Sequence, residues 1–394
     1  MTRGGAPVPA KEAIREEALR LGFSSCGFAP AATPLHADAY LEWLRRARHG
    51  EMAWMAREDA VRRRLDPREA LAGCQTLIVV AWSYAPGIPA GPLPERGAAR
   101  AEGSGAGDGP RSFATPPDRD PARSAGDAVI ARYALGRDYH DLFEERLGLL
   151  SDAVREHAPD AACKLYVDYG PVLERDHAQR EGLGWIGKNT LLIDPGFGSY
   201  LLLGELLTEL ALEPDPPFEA DRCGTCTRCL EACPTGAIVA SREVDARLCI
   251  SYLTIELRGP IPHELRPLVG NRVFGCDICQ EVCPWNREPA PGDPAALELG
   301  RSVAPESMRA WAEEVLSLDD EAFRARYGDT ALARPGREGL LRNLCVGLGN
   351  AGDPDTLPLL RRAAAGTPLV REHAEWAIAR IEGGRGRGDY APER

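Results

Sequence analysis

Residues 223–234 read CGTCTRCLEACP, and residues 276–284 read CDICQEVCP. The first stretch sets cysteines at 223, 226, 229 and 233, with a proline behind the last. Zinc sites ordinarily draw on two C-x2-C pairs split by a loop. Three cysteines at intervals of three, then a fourth four residues later before proline, form instead the two-cluster ferredoxin pattern. There the first three thiolates take three corners of one [4Fe–4S] cube, and the fourth reaches toward a second cube. The second stretch is one cysteine short, because Val273 stands where its first should be. Cys249, in DARLCISYL, is the spare thiol. Eight ligands then fill eight sites: Cys223, Cys226, Cys229 and Cys283 on one cluster, and Cys233, Cys249, Cys276 and Cys279 on the other.

A disulfide framework is the competing use of cysteine, and it fits poorly. Eight of the 12 cysteines fall within 223–283 at metal-site spacing, in a chain of 394 residues with no secretion signal. The other four, Cys26, Cys74, Cys163 and Cys345, are scattered and read as small buried side chains. The N-terminal MTRGGAPVPAKEAIREEALR lacks the apolar core of a signal peptide, so a cytoplasmic protein is expected. No apolar run approaches the length of a membrane span. The formal charge of −12 disfavours loose binding to nucleic acid but leaves room for a local basic face.

Three regions are expected. Residues 1–215 alternate helical and strand patterns and read as an α/β domain. Helices are expected over 10–21 and 37–57, and strands over 76–84 (TLIVVAWSY), 128–134 and 164–168 (KLYVD). From Asp138 onward Leu142, Phe143, Leu147, Leu150 and Val154 mark one helical face. Residues 86–126, rich in Gly, Pro, Ala, Arg and Ser, read as a long loop. Residues 216–295 form a ferredoxin-like region whose folding energy comes largely from metal ligation. Residues 296–394 are helical. Leu340, Leu341, Leu344 and Leu348 make one stripe, and Leu357, Leu360, Val370, Ala374 and Ile378 continue a HEAT-like pattern that usually offers a face to a large partner.

Two clusters side by side make a wire, and a wire needs a terminal where chemistry happens. Residues 220–290 supply none, so the front domain is expected to house it. No G-x-G-x-x-G follows a strand there, and GLGWIG (182–187) matches neither a dinucleotide fingerprint nor a P-loop. Asp168, at the end of KLYVD, is the residue singled out. A carboxyl at a strand end, in a dry pocket, is suited to hand over a proton. Lys188 and Asn189, in the Gly-rich turn, are candidate pocket residues.

The motifs RYALGRDYH, KLYVDYGPVLER, GLGWIGKNTLLI, CGTCTRCLEACPTGAI, CISYLTIELRG and NRVFGCDICQEVCPWN together resemble the epoxyqueuosine reductase family over nearly the whole chain. The resemblance implies an α+β front domain of the nitroreductase and reductive-dehalogenase type, holding cobalamin beside two [4Fe–4S] clusters. It implies the last step of queuosine synthesis, at the wobble base of the tRNAs for Asp, Asn, His and Tyr. It also implies Asp168 as proton donor, with corrin contacts from Arg64, Ala131, Asp168 and Ser251. No D-x-H-x-x-G offers a histidine to cobalt, which agrees with a cobalamin lacking such a ligand.

For the tRNA, the candidate phosphate contacts are Arg62, Arg63, Arg64, the arginines of the 86–126 loop, Arg361, Arg362 and Arg371. A low-potential donor of flavodoxin or ferredoxin type, a monomeric state and no membrane contact complete the expectation. The rivals are a corrinoid reductive dehalogenase, disfavoured by the helical tail, and a non-catalytic electron carrier, disfavoured by the large front domain.

Overall fold

Eight apolar, largely β-branched or aromatic residues, TLIVVAWS, form the strand Thr76–Ser83 around which the front half is built. In the computed structural model, which describes residues 10–85, 126–290, 292, 305 and 307–384, all eight are buried. Their two-residue period separates two faces. Ile78, Val80 and Trp82 pack on Phe143, Leu147 and Leu150 of the helix Tyr139–His157, and on Ile14 and Ala18 of the helix Ala10–Arg20. Val79 and Ala81 face the other way, against Ala178, Leu183 and Leu192.

The sheet runs Ser25–Pro30, Thr76–Ser83, Leu201–Thr208, Cys163–Tyr166, and every pairing is antiparallel. The layered α and β composition is as expected, but ligand placement at the carboxyl end of parallel strands does not apply here. Gly204 lets the long helix settle on the sheet: a Cβ there would stand 2.6 Å from Phe143 Cδ1.

Three local expectations change. The 37–57 stretch divides into helices Ala37–Arg45 and Ala53–Ala56, because Ala47 and Gly50 take positive φ between them. The 128–134 strand is only Val129–Ile130, paired with Arg272–Phe274 and followed by a 3-10 turn over Arg132–Ala134. The edge strand stops at Tyr166, two residues short of Asp168. Apart from Gly126, the 86–126 loop lies outside the described residues.

From 211 to 236 every residue keeps solvent exposure, so this stretch has no core of its own and depends on its ligands. Residues 246–274 are different. Ile250, Leu253, Val273 and Phe274 share one core with Trp311, Tyr327, Leu340, Leu344 and Val346 of the helical tail. The helix Gly336–Ala351 has twelve of its sixteen residues buried, the mark of an inner helix. Its Arg342, with no exposure, donates to the carbonyls of Leu253 (2.8 Å), Leu257 (2.8 Å) and Gly259 (2.7 Å). Asn343 Nδ2 donates to Thr254 O (2.7 Å) and Val273 O (2.9 Å). The tail therefore braces the segments that carry Cys249 and Cys276. Among the described residues no helix is long and apolar enough to cross a membrane.

Candidate functional site

The two cysteine motifs fold alike. Cys229 lies on the short helix Arg228–Ala232 and Cys279 on Ile278–Glu281, and these helices pack against each other. Cys233 and Cys283 follow their helices in extended conformation, each before a proline. Cys283 feels the charge of Cys223, Cys229 and Cys226; Cys279 feels that of Cys276 and Cys249, and Cys249 that of Cys233. Cys229 in turn acts on Cys279, which sets the two groups side by side. Val273 has no exposure and belongs to the core, while Cys249 arrives on the cap of the helix Ile250–Ile255.

Among the described residues, no three His, Cys, Asp or Glu side chains close round a point that one ion would fill. Burial pushes Cys283 up to about 11, Cys276 up to about 12 and Cys279 well above its usual range, so ionisation must come with the metal. The donor set and its spacing fit two [4Fe–4S] clusters. Trp185 Nε1 donates to Cys223 Sγ (3.4 Å), inside an apolar cover of Phe218 and Trp285. Lys188 and Asn189 serve this region: Lys188 Nζ donates to Gly224 O (2.7 Å) and Cys226 O (3.0 Å), and Asn189 Nδ2 to Cys279 O (3.4 Å).

Asp168 sits on a turn at φ 57, in the left-handed region. Its N–H donates to Glu174 Oε1 (2.7 Å), its Oδ2 accepts from Tyr139 Oη (2.7 Å), and His140 Nε2 stands 3.9 Å from the same oxygen. The carboxyl is 59% accessible, so it faces solvent and not the dry pocket expected. Arg175, on the helix that follows, is exposed and donates to Thr190 O (2.6 Å). The guanidinium of Arg334 lies 5.0 Å from the Tyr139 ring and reaches Asp138 Oδ1 (3.1 Å). Burial works upward on Asp138, but His140 and Arg334 hold it down at about 2.

The other predicted corrin contacts fall around this loop and the inner thiols, those of Cys233, Cys249, Cys276 and Cys279. Arg64 is buried and donates to Gly170 O (3.4 Å), two residues from Asp168. Ala131 packs on Gly275, the neighbour of Cys276; a Cβ on Gly275, which has φ 68, would come within 2.5 Å of Ala131 Cβ. The Ser251 hydroxyl and N–H turn to Cys249, so Ser251 faces the inner thiols. Tyr133 bridges the two ends, edge-on to Tyr139 at 5.8 Å and 6.2 Å from Phe274. It also feels the charges of Asp168, Asp277 and Glu256. The accessible Asp168 carboxyl and the wall of Tyr139, Tyr133 and Phe274 that runs from it toward Cys276 are the features that fit a bulky cofactor.

Sequence reasoning missed Tyr139, Arg334, Glu174 and Glu205. Only Glu205 left a signal, as the one charge inside LLLGELLT. Of the arginines proposed for phosphate, Arg64 is buried and unsuited to that task. Arg62 pairs with Glu58 (3.2 Å), Arg63 with Asp59 (3.5 Å) and Arg361 with Glu382 (2.9 Å), while Arg371 donates to backbone carbonyls.

Residues 222–286 match the 4Fe-4S double cluster binding domain, and residues 111–169 match the family described as Epoxyqueuosine reductase QueG, DUF1730. The epoxyqueuosine reductase of Pseudomonas aeruginosa is 40% identical over 380 residues, covering 95% of this chain and 96% of its own. That of Escherichia coli K12 is 38% identical over 369 residues, covering 93% and 88%. An epoxyqueuosine reductase crystallised with an epoxyqueuosine-modified tRNA-Tyr stem loop has a similar structure, with TM-score 0.77 at 28% identity over 97% of this chain and 95% of that one. The Streptococcus thermophilus enzyme gives 0.74 at 27%, over 98% and 95%. Relatives this similar along nearly the whole length leave one conclusion: the chain belongs to the epoxyqueuosine reductase family.

Proposed function

We propose that this protein reduces epoxyqueuosine to queuosine at the wobble position of tRNA, with Asp168 as the proton donor. Removing the epoxide oxygen takes two electrons and two protons and leaves an alkene and water. When bound, the clusters and cobalamin supply the electron pair that opens the strained ring. Asp168 hands a proton to the departing oxygen, which would otherwise leave as a strong base. General acid assistance of this kind contributes typically about 10²–10⁴-fold. Tyr139 holds the Asp168 carboxyl from one side and Glu174 holds its backbone from the other.

In this reading Cys223, Cys226, Cys229 and Cys283 hold the outer cluster, and Cys233, Cys249, Cys276 and Cys279 the inner one. Arg64, Ala131, Asp168 and Ser251 line the corrin. The exposed Gly224, Thr225 and Thr227, beside the outer thiols, would be the face offered to a flavodoxin- or ferredoxin-type donor. The protein acts as a monomer.

The observation that carries the reading is the packing from Phe274, two residues before Cys276, through Tyr133 and Tyr139 to an accessible carboxyl at Asp168. The test is anaerobic turnover: cobalamin-loaded protein, a low-potential reductant and an epoxyqueuosine-bearing stem loop, with the nucleosides read by mass spectrometry. Queuosine forms if the reading is right. Unchanged epoxyqueuosine with fully loaded protein refutes it.

A further inference from the structure

Behind Asp168 lies a second pair of carboxyl groups that the reaction as written does not use. Glu174 opens the helix Glu174–Arg180, and its Oε1 accepts the Asp168 N–H at 2.7 Å. Its side chain is also within hydrogen-bond reach of Glu205, from the middle of the strand Leu201–Thr208. Glu205 has no exposure, and it sits in register with Val79 on one side and Tyr166 on the other. As two carboxylates neither could donate, and both Glu205 oxygens would be buried without a hydrogen-bond partner. Two carboxylates that share a site cut off from water cannot both stay charged. The ionisable groups facing the pair are Asp168 from the loop, Arg175 from the same helix and Glu181 at that helix's end. Arg175 is the one cation among them, and it also donates to Thr190 O (2.6 Å).

We infer that Glu174 and Glu205 share a single proton, and that this locked pair is the positioning device that holds the Asp168 backbone in its left-handed conformation. The shared proton fixes the Glu174 carboxyl between the strand and the loop. One Glu174 oxygen bonds to Glu205 and leaves the other aimed at the Asp168 N–H. A φ of 57 is unfavourable for a residue with a side chain, so the turn needs such a tether. Burial drives both carboxyls toward the protonated form, which agrees with a retained proton.

The inference rests on Asp168 being the proton donor, so its test has two arms. In the first, infrared difference spectra compare wild-type protein with E205Q at neutral pH. A protonated-carboxyl band present in wild type and lost in E205Q is expected, and its absence overturns the shared proton whatever Asp168 does. In the second, E174A is expected to lower kcat at least about tenfold, with KM for the stem loop within about twofold and cobalamin affinity unchanged. E174Q recovers most of the rate, since an amide can accept from Asp168 and donate to Glu205. Wild-type kcat in E174A, or a loss that E174Q does not recover, overturns the positioning role. The band surviving together with a fully active D168N would locate the failure in the proposed role of Asp168 instead.

Discussion

Replacing Asp168 by Asn removes the transferable proton and little else. The side chain is 59% accessible and makes one short hydrogen bond, from Tyr139 Oη at 2.7 Å, which an amide oxygen can still accept. The tether from Glu174 runs to the backbone and is untouched. Asn is also the better replacement at φ 57, because it visits the left-handed region more readily than Ala, for which that region costs roughly 1–2 kcal/mol. D168A would therefore mix a chemical loss with a disordered turn, whereas D168N isolates the acid. Losing general acid assistance predicts a fall in the single-turnover rate of about 10²–10⁴-fold, equivalent to about 3–5 kcal/mol in the barrier. The assay is a rapid-quench single turnover on an epoxyqueuosine stem loop under anaerobic conditions. Iron content, cobalamin affinity and stem-loop affinity are measured on the same preparation and should match wild type. A D168N rate within about threefold of wild type would refute proton donation by this residue.

Other perturbations read other parts of the account. Y139F keeps the buried ring but removes the hydroxyl, worth about 0.5–1.5 kcal/mol; kcat should fall about 2–10-fold with KM unchanged, and a loss beyond 100-fold would instead make Tyr139 the acid. The half-buried Glu174 carboxyl, raised by desolvation and the Asp168 charge from 4.5 to about 8, stays protonated in the fold at pH values where the unfolded chain has released its proton. Its contribution to stability is therefore full below about pH 4.5 and is lost as pH rises toward 8, by up to about 1.4 kcal/mol per pH unit. Denaturant midpoints measured between pH 5 and 8 should show this decline, and E174Q should flatten it; parallel curves would contradict the raised Glu174 carboxyl. R342A leaves the carbonyls of Leu253, Leu257 and Gly259 without their donor. It should cost at least about 3 kcal/mol by calorimetry of the cluster-loaded protein, and an unchanged melting temperature would show that the tail does not brace this region.

The parts legible in the sequence are those where chemistry or local pattern dictates the residues. An iron–sulfur cube fixes the spacing of its thiolates, so the double-cluster region was legible from the cysteines between Cys223 and Cys283. The strand Thr76–Ser83 was legible from its apolar, β-branched run, and the helix from Tyr139 from its apolar stripe and the Asp138 cap. Pairing was not legible, because alternation of helices and strands does not distinguish an antiparallel sheet from a parallel one. The strand KLYVD was drawn two residues too long, since a left-handed turn at an Asp leaves no mark in hydropathy. The support of Asp168 was hidden for a different reason. Tyr139, Glu174 and Glu205 come from three separate elements and meet only once the sheet has formed.

The central claim is that eight thiols grip two iron–sulfur cubes and feed them into the front half of the molecule. Quantifying iron and acid-labile sulfide in anaerobically purified protein tests it most directly. About eight of each per chain is predicted, falling in C249A as the inner cube loses a corner. Zinc in place of iron, with almost no sulfide, would contradict the account.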